Sequence, residues 1–322
     1  MKIKRYFSSP QYEKCTKDVL RRVCAYIYAI FPLAYLAVFI HYLFSNRNKH
    51  YKYEVSLCLI FKNEAAYLKE WLEYHSLIGV DHFYLYNNFS EDDYTEVLRP
   101  YIDKGIVTLT EWPIKYAQVA AYEDCYHKFK GETHWLGYID ADEFVNLRKY
   151  NDIKTFLSRY NAYPSVLLCW KMFGTSGIVK EPTNYLVTER YVASWPWLCE
   201  TGKSFINNDY MFRRVKVHYH VAYVLGIPLY GVTEAKIFAP LMIHPFSYAP
   251  FPSAYINHYW SRSREYYLYK DLQRGAVSSM KNEKIKKNPG RFEFHELNNS
   301  IHDYSIQRWL VLLKERIDSS IF

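Results

Sequence analysis

The order of apolar and amphipathic segments through about residue 175 is the feature that most limits the possible folds. Short continuous apolar runs, typical of strands buried on both faces, alternate with segments whose apolar residues repeat at helical spacing. The predicted strands are Val55–Phe61, His82–Asn87, Ile106–Glu111, His134–Asp140 and Ser165–Lys171, and the predicted helices are Glu64–Ile78, Asp93–Lys104, Ala117–Phe129 and Asp152–Tyr160. This alternation predicts an α/β fold with a mostly parallel sheet that carries helices on both faces.

Beyond residue 175 the alternation ends. The chain continues in segments rich in Trp, Tyr, Pro and His, which predicts a less regular second half. Half of all residues are hydrophobic and 23% are charged, so the chain has the composition of a folded protein. Its 34 Tyr, 19 Phe and 8 Trp suit buried positions with a polar contact, or surfaces that stack on flat ligands such as sugars or bases.

The formal net charge of +8 is unevenly distributed along the chain. Residues 1–22 contain seven basic and two acidic side chains, a net of 7 − 2 = +5, and further basic residues lie in 45–52 (+3) and 281–291 (+4). The remaining body therefore carries 8 − 12 = −4. A nucleic-acid-binding protein needs its basic residues within the fold, so we expect no nucleic acid as a partner. Basic flanks beside an apolar segment indicate anionic lipid instead.

That apolar segment is Val23–Phe44, which runs for 22 residues without a formal charge. About 20 apolar residues span a bilayer as a helix, so we expect a retained membrane segment. Because Pro32 interrupts it and both flanks are basic, a transmembrane helix and a re-entrant hairpin both stay open. A buried helix of a soluble protein is the alternative interpretation.

Three acidic residues, Asp140, Asp142 and Glu143, follow the fourth predicted strand in the stretch LGYIDADEFVN. In open parallel sheets ligands bind beyond the carboxyl ends of the strands, and polar clusters at Lys62–Glu64 and Asn87–Asn88 follow two of the other strands. Carboxylates held this close raise one another's pKa unless a cation lies between them. Asp140 and Asp142 are therefore candidate ligands of Mn²⁺ or Mg²⁺, shared with phosphate groups. A surface turn with a helix N-cap is the alternative.

Several longer stretches occur in the order of one known enzyme family. They are SLCLIFKNEAAYLKEWLEYHSLIGVDHFYLYNNFSEDD, YIDADEF, WKMFGTSG and NHYWSRSREYYLYKDLQRG. Together they resemble glycosyltransferase family 92 and the related bacterial branch of family 2, over about residues 53–275. The resemblance implies a GT-A fold and transfer of a sugar, commonly galactose from UDP-galactose, with inversion at the anomeric carbon. The implied partners are a nucleotide-sugar donor, a glycan or glycolipid acceptor and membrane lipid.

The resemblance also implies roles for residues of the first half. By position, Asp142 would bind the metal, while Asp140 would face the ribose or share the ion. Lys62 and Glu64 would line the donor pocket. Asn87 would lie near the nucleotide, although many members of the family have an acid at that position.

The second half is expected to supply a histidine ligand and a catalytic base. His258 is the preferred metal ligand, and its rivals are His218, His220 and His244. An inverting transfer requires a carboxylate that takes the proton of the acceptor hydroxyl. Two glutamates follow the Gly174–Gly177 loop, and Glu189 is preferred to Glu181, although spacing identifies neither and a surface role is the alternative for both.

Other residues of the second half are candidate contacts of the substrates. Lys203 would either meet a phosphate or be a solvated surface lysine, and Arg262 and Lys270 would approach the diphosphate. Trp170 and Phe173 are candidates for stacking against sugar faces, with core packing as the alternative.

The expected organisation is a basic tail (1–22), a membrane segment (23–44), a linker (45–52), a GT-A domain (53–275) and a basic and helical extension (276–322). The six cysteines show no disulfide pattern, which favours a bacterial inner membrane with the catalytic domain in the cytoplasm. A Golgi membrane with a lumenal domain is the alternative. Two other functions remain open: a membrane-tethered carbohydrate-binding protein without activity, and a nucleotidyl- or phosphotransferase.

Overall fold

The computed structural model describes residues 23–24, 27–28, 30–45, 49–199, 201–218, 220–239, 252–270, 274 and 290–319. The expected basic tail 1–22, His244 and residues 276–289 lie outside the described residues. The helices are Pro32–Phe44, Ala65–Leu77, Tyr94–Asp103, Gln118–Phe129, Ile153–Ser158, Val187–Arg190, Arg264–Leu268, Arg291–Leu297 and Leu310–Ser319, with a 3₁₀ helix at Ser305–Trp309. The strands are β1 (Tyr53–Phe61), β2 (His82–Asn87), β3 (Val107–Glu111), β4 (Thr133–Tyr138), β5 (Glu143–Leu147), β6 (Ser165–Met172), β7 (Ala193–Ser194), β8 (Gly202–Asn207), β9 (Phe212–Val215), β10 (His220–Val224), β11 (Ile227–Leu229), β12 (Ala254–His258) and β13 (Ile301–His302).

The main sheet has the spatial order β3-β2-β1-β4-β8-β6-β12-β5. Strands β3, β2, β1 and β4 run parallel, and β6 pairs in parallel with β12. Strands β8 and β5 run antiparallel to their neighbours. The prediction of an α/β fold with a mostly parallel sheet is therefore confirmed. Central strand β1 is buried from Val55 to Phe61, which explains why its sequence is a continuous apolar run.

The buried face and the C-terminal end of the helix Ala65–Leu77 both follow from its local sequence. Its predicted apolar face is buried and comprises Leu68, Trp71, Leu72 and His75. At its end Gly79 adopts φ +98°, a conformation that disfavours residues with a Cβ. The Gly79 and Val80 N–H groups donate to the carbonyl oxygens of Ser76 and His75, both at 3.0 Å. These two bonds satisfy carbonyls that the helix leaves free.

The less regular second half that the sequence predicts still contributes β8 and β12 to the main sheet. Strand β5, which the sequence did not predict, begins directly after the acidic turn and pairs with β12. In that register His258 lies opposite Glu143. A residue more than a hundred positions later in the chain is thereby placed beside the acids.

The helix Pro32–Phe44 packs beside a second sheet of order β11-β10-β9. Its buried residues are Ala34, Ala37 and Val38. Within the described part of the chain, none of the helices combines the length and the apolar character that crossing a bilayer requires. The membrane segment expected over 23–44 stays a prediction.

Candidate active site

The acidic residues form a tight turn between β4 and β5. The Glu143 N–H donates to the Asp140 carbonyl oxygen at 3.0 Å, and the Asp140 N–H donates to Glu143 Oε2 at 2.9 Å. Trp71 Nε1 donates to the carbonyl oxygens of Asp140 and Glu143 at 3.1 and 3.0 Å. The indole of a buried helix residue thus holds the turn at the carboxyl edge of the sheet.

Asp142 is buried within this turn. The Lys270 ammonium contacts its Oδ2 atom, and His258 Nε2 lies 3.7 Å from the same oxygen. Burial alone would raise the pKa of the Asp142 carboxyl, but Lys270 and His258 outweigh burial and hold this pKa well below its usual range. Asp142 is therefore ionised and can bind a cation.

Glu143 is fully buried and only partly satisfied. Its Oε2 atom lies 3.7 Å from Lys203 Nζ, whereas its Oε1 atom has no hydrogen-bond partner among the described residues. Burial raises the pKa of Glu143 well above its usual range. Lys203 lowers this pKa, but the carboxylates of Asp140 and Asp142 raise it further, and the net shift is upward. A buried oxygen without a partner is costly, so this atom is free to take a ligand.

Asp142, Glu143 and His258 each offer one donor atom, and these three atoms lie within 4.8 Å of one another. The Nδ1 atom of His258 is also buried and has no partner within the described part of the chain. Two carboxylates and one imidazole form a donor set that suits Mn²⁺ or Mg²⁺. The three residues, called the acidic centre below, therefore fit a divalent cation.

Asp140 lies beside the acidic centre and is 30% exposed at its side chain. Gln118 Nε2 and the Tyr122 hydroxyl donate to its Oδ1 atom at 3.1 and 3.0 Å, and Lys203 Nζ lies 2.8 Å from its Oδ2 atom. The solvated surface position considered for Lys203 is wrong, because its side chain is fully buried between Asp140 and Glu143. Lys203 neutralises one edge of the acidic turn.

Glu64, at the end of β1, is buried among cationic groups. Arg262 donates to its Oε2 atom at 3.1 Å, Arg274 contacts its Oε1 atom, and the Tyr266 hydroxyl donates to it at 2.8 Å. Burial would raise the pKa of Glu64, but Arg274 and Arg262 outweigh it and lower this pKa. Arg262 also donates to the Ala141 carbonyl oxygen at 3.0 Å, which ties the first strand to the acidic turn.

The carboxyl ends of β1 and β2 also meet at this edge. Asn87 Nδ2 donates to Glu111 Oε2 at 2.7 Å, and Asn87 Oδ1 accepts from the Ser90 N–H at 3.0 Å. The Asn63 N–H donates to Ser90 Oγ at 2.9 Å. The three polar clusters that the sequence analysis located after separate strands therefore line one edge of the sheet.

The sequence profile of glycosyltransferase family 92 matches residues 51–295, which is more than half of the chain. The chain belongs to glycosyltransferase family 92. The resemblance found in the sequence motifs is thereby confirmed, and the matched range contains the acidic centre and the cationic residues described above as its neighbours, Lys203 and Lys270.

Named relatives cover parts of this family 92 chain. A glycosyltransferase family 92 protein of Ricinus communis is 30% identical over 153 residues, 44% of this chain and 26% of the relative. A galactan β-1,4-galactosyltransferase of Arabidopsis thaliana is 25% identical over 134 residues, 38% of this chain and 27% of the relative. A β-1,4-galactosyltransferase of Caenorhabditis elegans is 29% identical over 108 residues, 29% of this chain and 25% of the relative. The chain matches about a quarter of the length of these relatives.

Solved structures overlap this chain only in part. S. aureus TarS in complex with UDP-GlcNAc gives a TM-score of 0.31 at 13% identity, covering 41% of this chain and 38% of TarS. The complex of TarS residues 1–349 with UDP gives a TM-score of 0.34 at 11% identity, covering 56% and 60%.

The structure separates the predicted site residues into two sets. Five of them are held around the acidic turn: Glu64, Asp140, Asp142, Lys203 and His258. Lys62 joins them through its backbone, because Arg274 donates to its carbonyl oxygen at 3.2 Å. Of the rival histidines within the described residues, His218 faces the Gly202 carbonyl oxygen at 3.3 Å and His220 packs against the Tyr138 ring. The roles of all these residues stay predictions.

The two candidate bases lie in different surroundings. Glu181 accepts hydrogen bonds from the Tyr67 and Tyr191 hydroxyls at 2.9 and 3.1 Å, and the Tyr67 ring lies 3.5 Å from the Arg262 guanidinium carbon. Glu189 instead pairs with Lys314 Nζ at 2.6 Å on the helix Leu310–Ser319. The described contacts link Glu181, but not Glu189, to the acidic turn.

Part of the candidate site has little or no signal in the local sequence. Glu143 was counted among the acids but was not proposed as a ligand, and the pairing of Lys270 with Asp142 and of Arg274 with Glu64 was not foreseen. The signal for Glu143 was its position as the third acid of the turn. The two cationic pairs join residues 128 and 210 positions apart, and no local pattern shows such contacts.

Proposed function

We propose that this chain is a metal-dependent glycosyltransferase of GT-A architecture that transfers a sugar from a UDP-sugar, with galactose as the first choice, to a glycan or glycolipid with inversion. The observation that carries the proposal is the acidic centre, a buried group of two carboxylates and an imidazole at the carboxyl edge of the sheet. Ligands of open α/β sheets bind at that edge. Relatives named as β-1,4-galactosyltransferases support the choice of galactose.

The residues of the acidic centre would hold the cation. Asp142, Glu143 and His258 supply the donor atoms, and a bound Mn²⁺ or Mg²⁺ would neutralise charge on a departing nucleoside diphosphate. Asp140 is 30% exposed at the same edge, and its carboxylate would meet the ribose of a donor bound there. Lys203 holds Asp140 in that orientation through the contact at 2.8 Å.

A base for the acceptor hydroxyl must lie near the site where the sugar is transferred. Glu181 meets this condition better than Glu189, because Tyr67 and Arg262 connect it to the Ala141 carbonyl beside Asp142. We therefore propose Glu181 as the base, which reverses the preference drawn from the sequence.

The test uses the full chain, incubated with Mn²⁺ and a panel of UDP-, GDP- and CMP-sugars, with released nucleotide identified by chromatography. We expect UDP release from one UDP-sugar, and roughly a hundredfold or greater loss of turnover in Asp142→Asn. Glu54→Gln is the matched control, since it also changes an acid to an amide but at the opposite edge of the sheet. Thermal unfolding of both variants shows whether the fold is intact.

Several outcomes would reject the proposal. Full turnover of Asp142→Asn with the metal chelated would remove the acidic centre from the reaction. Release of pyrophosphate in place of UDP would indicate a nucleotidyltransferase. Sugar binding without any nucleotide affinity would indicate a carbohydrate-binding protein.

A further inference from the structure

The helix Pro32–Phe44 has two apolar faces, of which only one packs on the protein. Ala34, Ala37 and Val38 face the body and are buried. On the other side the exposed residues are also apolar, namely Leu33, Leu36, Phe39, Leu43 and Phe44. A surface helix normally carries polar residues opposite its buried stripe. We call the exposed residues of this helix the apolar face.

Contacts along the whole segment hold this helix flat against the body. The Tyr28 hydroxyl donates to the Pro228 carbonyl oxygen, the Tyr35 ring lies 4.8 Å from the Phe238 ring, and the His41 ring stacks on Tyr210 at 3.8 Å. Because these contacts run from Tyr28, before the helix, to His41 in its last turn, the helix lies along the surface of the domain. The apolar face therefore points away from the protein along its whole length.

The apolar face continues into an open cavity of about 520 Å³ beside the hairpin of β10 and β11. Apolar side chains of the helix and of the hairpin line the cavity, together with several polar side chains. The lining residues are Ile40, His41, Phe44, Ser45, Lys49, Asp209, Val224 and Leu225. Phe44 and Leu225 are 82% and 78% exposed, so the rim of the cavity is itself apolar. Lys49 and Asp209 of the lining lie 3.8 Å apart and form an ion pair, so the rest of the space, which is mainly apolar, suits an acyl chain.

Basic residues occur at the cavity and on the sheet beside the helix. Lys49 lies at the cavity, and Arg213 and Arg214 of β9 are exposed. Asp209 lies at the same cavity, 3.8 Å from Lys49 Nζ, and its carboxylate also accepts from the Tyr51 hydroxyl at 2.9 Å and lies 3.5 Å from His134. Residues 1–22, directly before this region, add a sequence charge of +5. Basic groups beside an apolar face are the pattern of a surface that binds anionic lipid.

We propose that the apolar face and the cavity dock on the surface of an anionic lipid bilayer, with the helix Pro32–Phe44 lying in the plane of the interface. In this orientation the helix Pro32–Phe44 would hold the domain at the membrane surface without crossing the bilayer. A glycolipid acceptor of the proposed reaction would lie in the same membrane.

Flotation of the full chain with vesicles tests the proposal. Vesicles of phosphatidylcholine and phosphatidylglycerol in equal parts should bind the protein, and those of phosphatidylcholine alone should bind it less. The double variant Leu36→Gln and Phe39→Gln should weaken binding roughly tenfold or more, because both side chains leave the lipid. The matched control, Val311→Gln with Leu312→Gln, makes the same change at two exposed apolar residues of the helix Leu310–Ser319 and should bind as the native chain does.

Equal vesicle binding by the native chain and the Leu36 and Phe39 variant would overturn the proposal, and so would no binding by the native chain. A change of oligomeric mass in that variant, with vesicle binding unchanged, would assign the apolar face to a second copy of the chain. Mass is measured by light scattering in the same preparations. These readouts do not depend on glycosyltransferase activity.

The depth of two spin labels tests the orientation. Leu36→Cys and Leu43→Cys, each in a background whose other reactive cysteines are serine, place labels two turns apart on one face, about 10 Å along the helix axis. A helix in the plane of the interface gives equal label depths in oxygen-accessibility measurements. Depths that differ by about 10 Å would show an upright helix and would overturn the in-plane orientation.

Discussion

The two ends of strand β4 carry similar residues in opposite circumstances. At the amino end, His134 Nδ1 lies 2.8 Å from Glu54 Oε1, and His134 Nε2 lies 3.5 Å from Asp209 Oδ2. At the carboxyl end, His258 lies beside Asp142 and Glu143. Each end therefore has a histidine beside two carboxylates, and the carboxyl end adds a third carboxylate, Asp140. Only the carboxyl end has the properties of a candidate active site.

Burial of the carboxylates makes the difference. Glu54 and Asp209 are 43% and 23% exposed at their side chains, so water stabilises their charges. Asp142 and Glu143 are buried, and the chain must supply buried cations, Lys270 and Lys203, to neutralise them. Burying charge is costly, so such an arrangement persists where function requires it.

The difference also appears in the pKa values. Burial lowers the pKa of His134, but hydrogen bonds to Asp209 and Glu54 outweigh burial and raise it to about 9. That histidine is a cation at neutral pH, bonded through Nδ1 to Glu54 and 3.5 Å from Asp209 through Nε2. At the other end, Glu143 Oε1 and His258 Nδ1 have no partner among the described residues. Burial of the carboxylates, more than residue type, distinguishes the candidate ligand set from the ion cluster at the amino end.

The largest expected effect comes from removing a buried cation. Lys203→Met leaves Asp140 and Glu143 without their shared positive charge, and we expect the free energy of unfolding to fall by about 3 kcal/mol. Lys49→Met is the matched change at the amino end, where the exposed lysine lies 3.8 Å from Asp209, and should cost less than about 1 kcal/mol. Equilibrium unfolding in urea measures both. Equal losses in the two variants would show that burial does not separate the two ends.

Cation binding should distinguish the ends next. Manganese at a hundred times its dissociation constant should stabilise the native chain by about 2.7 kcal/mol, seen as a rise in the unfolding temperature. Asp142→Asn and His258→Gln should abolish this rise, because each removes a donor of the acidic centre. The double variant Glu54→Gln with Asp209→Asn should retain it. If only the Glu54 and Asp209 variant lost the manganese-induced rise in unfolding temperature, the cation would bind at the amino end of β4 and not at the acidic centre.

Local patterns predicted much of the fold. Strands β1 to β4 and β6 and their helices lie within about two residues of the predicted bounds, because each is a compact apolar or amphipathic run. Strand β5 was missed, since its five residues follow the acidic turn without a Gly or Pro between them. The positions of β8 and β12 in the sheet depend on pairing between distant segments, which periodicity does not encode.

The site was predicted to the same extent and for the same reason. Asp140 and Asp142 could be proposed as ligands because they follow an apolar strand, which is a local feature. The placement of His258 opposite Glu143 comes from the register of β5 with β12, and the contact of Lys270 with Asp142 comes from a later segment folding back. The preference for Glu189 as the base rested on chain order alone, and its pairing with Lys314 could not be foreseen.

The smallest expected effect is a pH dependence at the amino end. The pKa of His134 rises from 6.5 to about 9 on folding, so its stabilising contribution is complete below pH 6.5 and is lost as the pH rises through 9. Because Glu54 is 43% exposed and screened by water, we expect a loss of about 1–2 kcal/mol across this window.

His134→Gln should abolish the loss of stability between pH 6.5 and 9. The contribution of His134 is measured as the free energy of unfolding of the native chain minus that of the variant at each pH. The acidic centre is unchanged in this variant, so its response to manganese should be that of the native chain. A difference between the two proteins that stays constant from pH 6.5 to 9 would mean that His134 is not a cation in the folded state. The amino end would then not be a charged ion cluster, and exposure of its carboxylates alone would separate it from the carboxyl end.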